Sequence, residues 1–379
     1  MAEYKYTARD PETGKKVQGT INADSEKGVA NFVKARGLAL LDTSAKGSHG
    51  FFDRFGSRIR SKDKVVFSRQ LSTLIDAGLP LAQSLRSVIN QTKNPALQSI
   101  LSEVINDIEG GKAFSASLAR HPRVFDPVFI SLVQAGEASG TLDVALERIA
   151  NQQEKDAELL SKVRGAMIYP VIVLFVMLAV VTFMLVSVLP QVQELYNGLP
   201  GTRLPILTRI LLALSDFVTV NWPFILIAIA VMIFFASRWA RTLGGKRYVD
   251  KMKLKVWPIG PLFTKLYMAR FSRTGTTLVS SGVPLIQVLN IVANAVNNIH
   301  VENSINTATE KVRGGKSLSG ALEGDPNFLD LVPQMIKIGE DSGALEQMLE
   351  KTADYYEKEV DNQVKAISTI IEPILMVVL

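Results

Sequence analysis

Lys316 and Ser317, which follow Gly314 and Gly315, mimic the end of a phosphate-binding loop, where a lysine reaches phosphate and a hydroxyl meets magnesium. The glycine such a loop needs five positions before Gly315 is Glu310, and in the first half of the chain Lys112 is followed by Ala113. The paired glycines read instead as a helix stop, closed by a left-handed residue before the next helix begins. The run GEASG at Gly136 to Gly140 places its serine one position late for a nucleophile elbow, and no expected strand precedes it. His49, His121 and His300 stand apart from one another, with no carboxylate at metal-ligand spacing, so no zinc site is expected. The absence of cysteine removes disulfides, thiolate metal sites and thiol nucleophiles together. Three carboxylates remain as candidates for a partner contact or an interface. Glu137 and Glu340 each occupy a glycine-flanked turn between helices, placed for a cap or an interhelical ion pair, or else for a docking contact or an oxygen ligand to a divalent cation at an interface. Glu372 sits beside Pro373 in an apolar run, at intramembrane or interfacial depth. No catalytic residue and no cofactor is expected.

The elements that would carry these residues are dominated by apolar runs. The chain has 379 residues, 47% of them hydrophobic and 21% charged, with a formal charge of +6. No charge occurs from Gly165 to Gln193, and Ala166 to Leu189 is apolar almost throughout, longer than the roughly 20 residues that cross hydrocarbon. Phe217 to Ser237 is a second charge-free run, entered at Trp222 and Pro223 and left through Arg238, Trp239 and Arg241, which suits an interfacial belt. Lys and Arg crowd before the first run and after the second, whereas the segment between them has only Arg203 and Arg209. By the positive-inside rule the N-terminal region and everything after residue 238 face the cytoplasm, with a short external loop between the spans. The basic excess is thereby assigned to membrane flanks, and no nucleic acid is expected as a partner. The N-terminus has no apolar signal segment and is expected to begin in the cytoplasm. A third apolar stretch from Ala366 to Leu379 would give only about 21 Å of helix, and is expected to be the start of a third span whose remainder is missing from this sequence.

An internal repeat organises the rest. FSRQLSTLIDAGLPLAQSL at Phe67 to Leu85 matches FSRTGTTLVSSGVPLIQVL at Phe271 to Leu289 at 10 of 19 positions with an offset of 204. Gly110, Gly111, Lys112, Ser115, Leu118 and Pro122 recur at the same offset, and after one deletion GEASGTL meets GEDSGAL and Pro170 meets Pro373. Within each repeat the pattern is helical: Phe67, Leu71, Leu74 and Ile75 share one face, Gly78 and Pro80 stop and restart the chain, and Asn94 caps a helix that Pro95 opens. Thr141 is expected to cap a helix that runs from the repeat into the first span as one rod, and the same holds from Ala344 into the terminal stretch. Tyr4, Tyr6, Val17, Gly19 and Ile21 alternate around a turn at Asp10 to Gly14, predicting a hairpin. A helix capped by Ser25 and a strand at Leu38 to Leu41 follow. Phe51, Phe52, Phe55 and Ile59, interleaved with arginines, make either a membrane-surface segment or a solvated connector.

The expected fold is therefore mainly α, a polytopic membrane protein whose two repeated cytoplasmic helical bundles join transmembrane helices, with a small α+β module in front. Its divisions are the N-terminal module 1–42, linker 43–60, repeat 1 at 61–165, span one at 166–189, external loop 190–216, span two at 217–237, basic connector 238–264, repeat 2 at 265–365 and the start of span three at 366–379.

FSRQLSTLIDAGLPL, GGKAFSASL, AGEASGTL and the late IIEPILMVVL resemble the type II secretion system F family, which includes the type IV pilus platform proteins. The resemblance covers nearly the whole chain. It implies an inner-membrane protein with two six-helix cytoplasmic domains and three spans, acting without catalysis. It further implies a hexameric pilus or secretion ATPase, pilins or pseudopilins, other inner-membrane assembly proteins, the lipid bilayer and copies of itself as a homo-oligomer for partners. Two rival classes are weakened by the residues. A transporter needs ionisable or broken helices at the midplane, which the two charge-free runs lack; a membrane-bound enzyme lacks a motif.

Overall fold

The computed structural model describes residues 2–9, 16–23, 26–35, 37, 39–45, 59–191, 206–257 and 259–378. The turn at Asp10 to Gly14, the Ser25 cap, the aromatic positions 51, 52 and 55, and most of the segment between the two apolar runs lie outside the described residues.

The alternating N-terminal residues form the expected hairpin. Strand β1 (Ala2–Arg9) pairs antiparallel with β2 (Lys16–Ala23), setting Tyr4 opposite Ile21 and Tyr6 opposite Gly19. Strand β3 (Ala39–Ala45) adds to the other edge of β1, giving the order β2-β1-β3, with a bulge between Thr7 and Ala8. It starts near the expected place and runs on to Ala45, because Thr43 and Ser44 pair with Tyr6 and Lys5. Helix α1 (Glu26–Ala35) covers this sheet, with Val33 and Ala8 fully buried.

Repeat 1 comprises α2 (Ser61–Asp76), α3 (Leu81–Gln91), α4 (Pro95–Glu109), α5 (Phe114–Ala119), α6 (Pro127–Ser139) and α7 (Leu142–Phe183). Its punctuation follows the residues. Asn94 accepts the Ala96 and Leu97 amides at the start of α4, Gly78 and Gly111 adopt left-handed φ, and Pro80 opens α3. Phe67 and Leu71 are buried, Leu74 and Ile75 pack against the same core, and Phe67, Phe125 and Phe129 form an aromatic cluster with centroids 5.1 to 6.4 Å apart. Thr141 stands at the start of α7, but its hydroxyl pairs with Ser139 Oγ at 2.7 Å instead of capping.

Repeat 2 reproduces this order in α10 (Ile259–Ser280), α11 (Leu285–Ala295), α12 (Ile299–Arg313), α13 (Leu318–Leu322), α14 (Leu331–Ser342) and α15 (Leu345–Val378). Asn298 caps α12 as Asn94 caps α4, Gly315 repeats the left-handed turn of Gly111, and Phe271 meets Phe328 edge to face at 5.1 Å where Phe67 meets Phe125.

Two helices carry the apolar runs. Helix α7 leaves repeat 1 and continues through Pro170 and the first run, then winds into a π-helical turn at Met184–Val188. Helix α8 (Ile206–Ala240) carries the second run and begins well before Trp222. Both are long and apolar enough to cross a membrane by length and composition, and their large side chains are exposed, Phe175 at 72% and Phe224 at 71%. A soluble core helix would bury them. The basic connector holds helix α9 (Leu243–Lys255), capped by Thr242 through the Gly245 amide.

Candidate functional site

The GEASG and GEDSG runs join three jobs in five residues. Gly136 and Gly339 lie where the next long helix crosses: an added Cβ would stand 2.6 Å from Ala145 Cβ in the first and 2.8 Å from Leu345 Cα in the second. Gly140 and Gly343 end α6 and α14 in left-handed conformation. Between them the glutamates stand within the last turn of α6 (Glu137) and of α14 (Glu340), not in the expected turn between helices, and point at the start of a neighbouring short helix. Glu137 Oε1 accepts the Phe114 amide at 2.5 Å, and Oε2 accepts the Ser115 amide at 3.0 Å together with the Ser115 hydroxyl. Glu340 accepts the Leu318 amide at 2.6 Å, the Ser319 amide at 3.2 Å and the Ser319 hydroxyl at 2.5 Å. Each carboxylate answers two amides that the first turn of a helix leaves unpaired, at the positive end of its dipole. This also accounts for the loop-like GGK run. The N-terminus after Lys316, where a phosphate would have bound, already holds the Glu340 carboxylate.

A second duplicated device was not anticipated. Arg69 on α2 donates to both oxygens of Glu154 on α7 at 2.6 and 2.5 Å and to Asn151 Oδ1 at 2.6 Å. Arg273 on α10 donates to Glu357 at 2.7 Å and to Asp354 at 2.5 Å, both on α15. The two sets correspond at the repeat offsets, so each repeat ties its first helix to its long last helix by one arginine and two acceptors. The guanidinium holds the Glu154 carboxyl below the ordinary range. The signal was present, since Arg69 and Arg273 fall within the matched FSR motif.

The repeats meet along α7, which packs on α15 and α10, while α6 packs on α11. Gln152 is the central polar residue of the seam: it donates to Thr274 Oγ1 at 3.2 Å and accepts from Thr277 Oγ1 at 3.0 Å while only 6% exposed. Arg148 donates to Ser281 Oγ at 2.9 Å, Lys162 reaches Asp361 at 2.8 Å, and Arg270 approaches Asp156 at 3.9 Å. Burial pushes the Asp156 carboxyl up, against the pull of Arg270. A cleft opens beside the seam, lined in part by Asp126, Phe129, Gln152 and Asn294.

Where α7 meets α8, buried Ser215 donates its hydroxyl to Leu185 O at 2.5 Å, within the π-helical turn. In the i+5 pattern of this turn the donor to Leu185 O would be residue 190, a proline without an N–H, and the next helix answers that carbonyl. Glu372 lies on α15, and its side chain is outside the described residues. Among the described residues no group of three or more His, Asp or Glu side chains is placed to hold a metal ion. His121 Nε2 lies 3.7 Å from Glu103 and His300 Nε2 3.1 Å from Arg247 O, so neither faces a carboxylate cluster. What the arrangement provides chemically is stiffness, in two helical repeats locked internally, packed on each other and continuous with exposed apolar helices.

The sequence matches the family described as type II secretion system (T2SS), protein F over residues 67–190 and 271–379, and the family described as type II secretion system protein F, N-terminal domain over residues 1–44. It is 40% identical to a type IV pilus assembly protein PilC of Thermus thermophilus, across 100% of this chain and 94% of the relative. It is 35% identical to a type IV pilus assembly protein TapC of Aeromonas hydrophila, across 97% of this chain and 88% of that one. To a type II secretion system protein F of Vibrio cholerae it is 33% identical, across 99% and 93%.

Proposed function

From the premise that the chain belongs to the type II secretion system protein F family, we propose that it is the non-catalytic inner-membrane platform of a type IV pilus or type II secretion machine. In this reading α7 and α8 are spans, α15 enters the bilayer at its apolar end, and the N-terminal module with both repeats lies in the cytoplasm. The domain division follows that plan: module 1–42, repeats 61–165 and 265–365, and membrane segments between and after them. A hexameric assembly ATPase supplies the energy, and pilins or pseudopilins are the subunits moved into or out of the filament.

The observation that carries the reading is the continuity of α7, which leaves the packed core of repeat 1 and becomes an exposed apolar rod without a break before its π-helical turn. Such a helix transmits a displacement of the cytoplasmic repeats into the bilayer. The arginine clamps and glutamate caps suit this role because a repeat that deformed under load would dissipate the displacement. Glu137 and Glu340 then support partner binding indirectly, by holding α5 and α13 in shape. Glu372 stands beside Pro373 in the apolar run that ends α15, and a carboxylate in such a run is a candidate partner contact.

The test is photocrosslinking of the full chain in its native membrane, with probes at exposed Val66, Ile338 and Tyr355, positions free of the caps. Recovery of an assembly ATPase and pilins or pseudopilins is expected. Recovery of solute-handling proteins or unrelated enzymes alone overturns the reading.

A further inference from the structure

Helix α9 has a finished inner face and an unfinished outer one. Inward, Asp250 is 2% exposed, accepts the Ile299 amide at 3.2 Å and pairs with Lys253 at 2.9 Å, while the Asn298 side-chain amide donates to Asp250 O at 3.3 Å. Leu254 packs against the core. These contacts fix α9 to α10 and α12 of repeat 2.

The connection to α8 is equally tight. The Thr242 amide donates to Trp239 O at 2.9 Å, and a Cβ on Gly245 would stand 1.9 Å from that oxygen, so the chain reverses there with room for glycine only. The Tyr248 ring lies 5.6 Å from the Trp239 ring. The direction of α9 is therefore set by the end of the apolar helix itself.

Outward, two rows run side by side at i, i+4, i+8. Arg247, Lys251 and Lys255 are exposed and make no ion pair among the described residues. Beside them Tyr248, Met252 and Val256 are exposed at 56%, 45% and 40%, with exposed Leu243 and Trp257 at the two ends of the helix. An apolar row bordered by unpaired cations, one tight turn from the tryptophan-marked end of a membrane-length helix, is what a headgroup layer accepts: apolar side chains at the acyl boundary, cations at phosphate. The continuity with α8 favours lipid over an acidic protein as the occupant.

We propose that α9 is an interfacial helix, docked on the anionic phospholipid headgroups of the leaflet from which α8 emerges, and that it sets the height and tilt of repeat 2 over the membrane. The proposal rests on the reading of α8 as a span.

Because the chain has no cysteine, a single Met252→Cys nitroxide on the full-length protein reports depth cleanly, and Ile233→Cys on α8 is its control. Accessibility to oxygen and to a water-soluble nickel chelate is measured in vesicles of mixed phosphatidylglycerol and phosphatidylcholine and in vesicles of phosphatidylcholine alone. Position 252 is expected at headgroup depth in the anionic vesicles. The triple change Arg247→Gln, Lys251→Gln, Lys255→Gln, confined to the exposed row, is expected to lower the ratio of docked to free helix about a hundredfold, at about fivefold per charge. If position 252 is in water while 233 is in hydrocarbon, the proposal fails and the span survives. If 233 is also in water, the span reading itself fails. Headgroup depth that ignores both lipid charge and the triple change overturns the electrostatic basis of the proposal.

Discussion

Replacing Glu340 with alanine removes one acceptor group and strands three donors. The Leu318 and Ser319 amides and the Ser319 hydroxyl, now at 2.6, 3.2 and 2.5 Å from the carboxylate, would have to find water at a half-buried helix start. A hydrogen bond to a charged group is worth about 1.5–3 kcal/mol net, and a lost N-terminal cap costs about 0.5–2 kcal/mol. Because water reaches part of this site, the loss for Glu340→Ala is set near the cap range plus the dipole contribution, about 1–3 kcal/mol. Helix α13 has only five residues, and the other side-chain support at that end is Ser317 Oγ, which accepts the Gly320 amide at 3.2 Å and leaves the Leu318 and Ser319 amides to Glu340. The assay is hydrogen exchange by mass spectrometry on the full chain in nanodiscs, comparing peptides over α5 and α13. A loss of about 1–3 kcal/mol corresponds to about 5- to 150-fold faster exchange where local opening governs it. The change should stay in α13 for Glu340→Ala and in α5 for Glu137→Ala, since the two caps share no partner. A less than threefold change in the capped helix, or equal acceleration of both, would refute the argument that these carboxylates act as local locks.

The two arginine clamps predict unequal costs, because Arg69 meets one carboxylate and the Asn151 amide at an exposed site whereas Arg273 meets two carboxylates at a more buried one. Arg273 and Glu357 side chains are only 15% and 13% exposed, so Arg273→Met strands a buried carboxylate and should cost about 3 kcal/mol in chemical denaturation, whereas Arg69→Met, at a pair 37% and 42% exposed, should cost about 1 kcal/mol or less. Gly136→Ala and Gly339→Ala force a Cβ into the crossing helix and should each lower the stability of their own repeat by about 1–3 kcal/mol, read by the same method. Gln152→Ala leaves the Thr274 and Thr277 hydroxyls without their cross-seam partner and should cost about 1–2 kcal/mol, appearing as faster exchange along α7 and α10 together. Acid should act with two signs. Glu154 and Glu359, held below the ordinary carboxylate value of 4.5 by Arg69 and Lys265, contribute stability that is present above that value and lost as pH falls through their folded-state pKa, so melting temperature should drop from about pH 5 downward. Asp156 runs the other way. Its carboxyl is raised by burial, so its contribution is fully present below the ordinary value of 3.8 and is lost as pH rises through its folded-state pKa; with the side chain 38% exposed and facing the Arg270 guanidinium, Asp156→Asn should change the melting temperature at pH 7 little.

Local properties of the chain were readable before any coordinates. Hydropathy is additive along a helix, so the charge-free runs identified α7 and α8, and a duplication preserves spacing, so one offset aligned the two repeats. Asn94 with Pro95, and the left-handed Gly111 and Gly315, act within a few residues of themselves and could be assigned directly. What the glutamates do could not, because the amides that Glu137 accepts lie 22 and 23 residues away on another helix, and only the crossing of α6 past α5 decides between a cap and a free docking group. The Arg69 clamp spans 85 residues and the Gln152 seam 122, distances over which pairing depends on how helices stack. Helix α9 joins both cases. Its basic and apolar rows are periodic in the sequence, but which face looks outward was settled by the reversal at Gly245 and the anchoring of Asp250, since a helix has no outside until something packs against its other side.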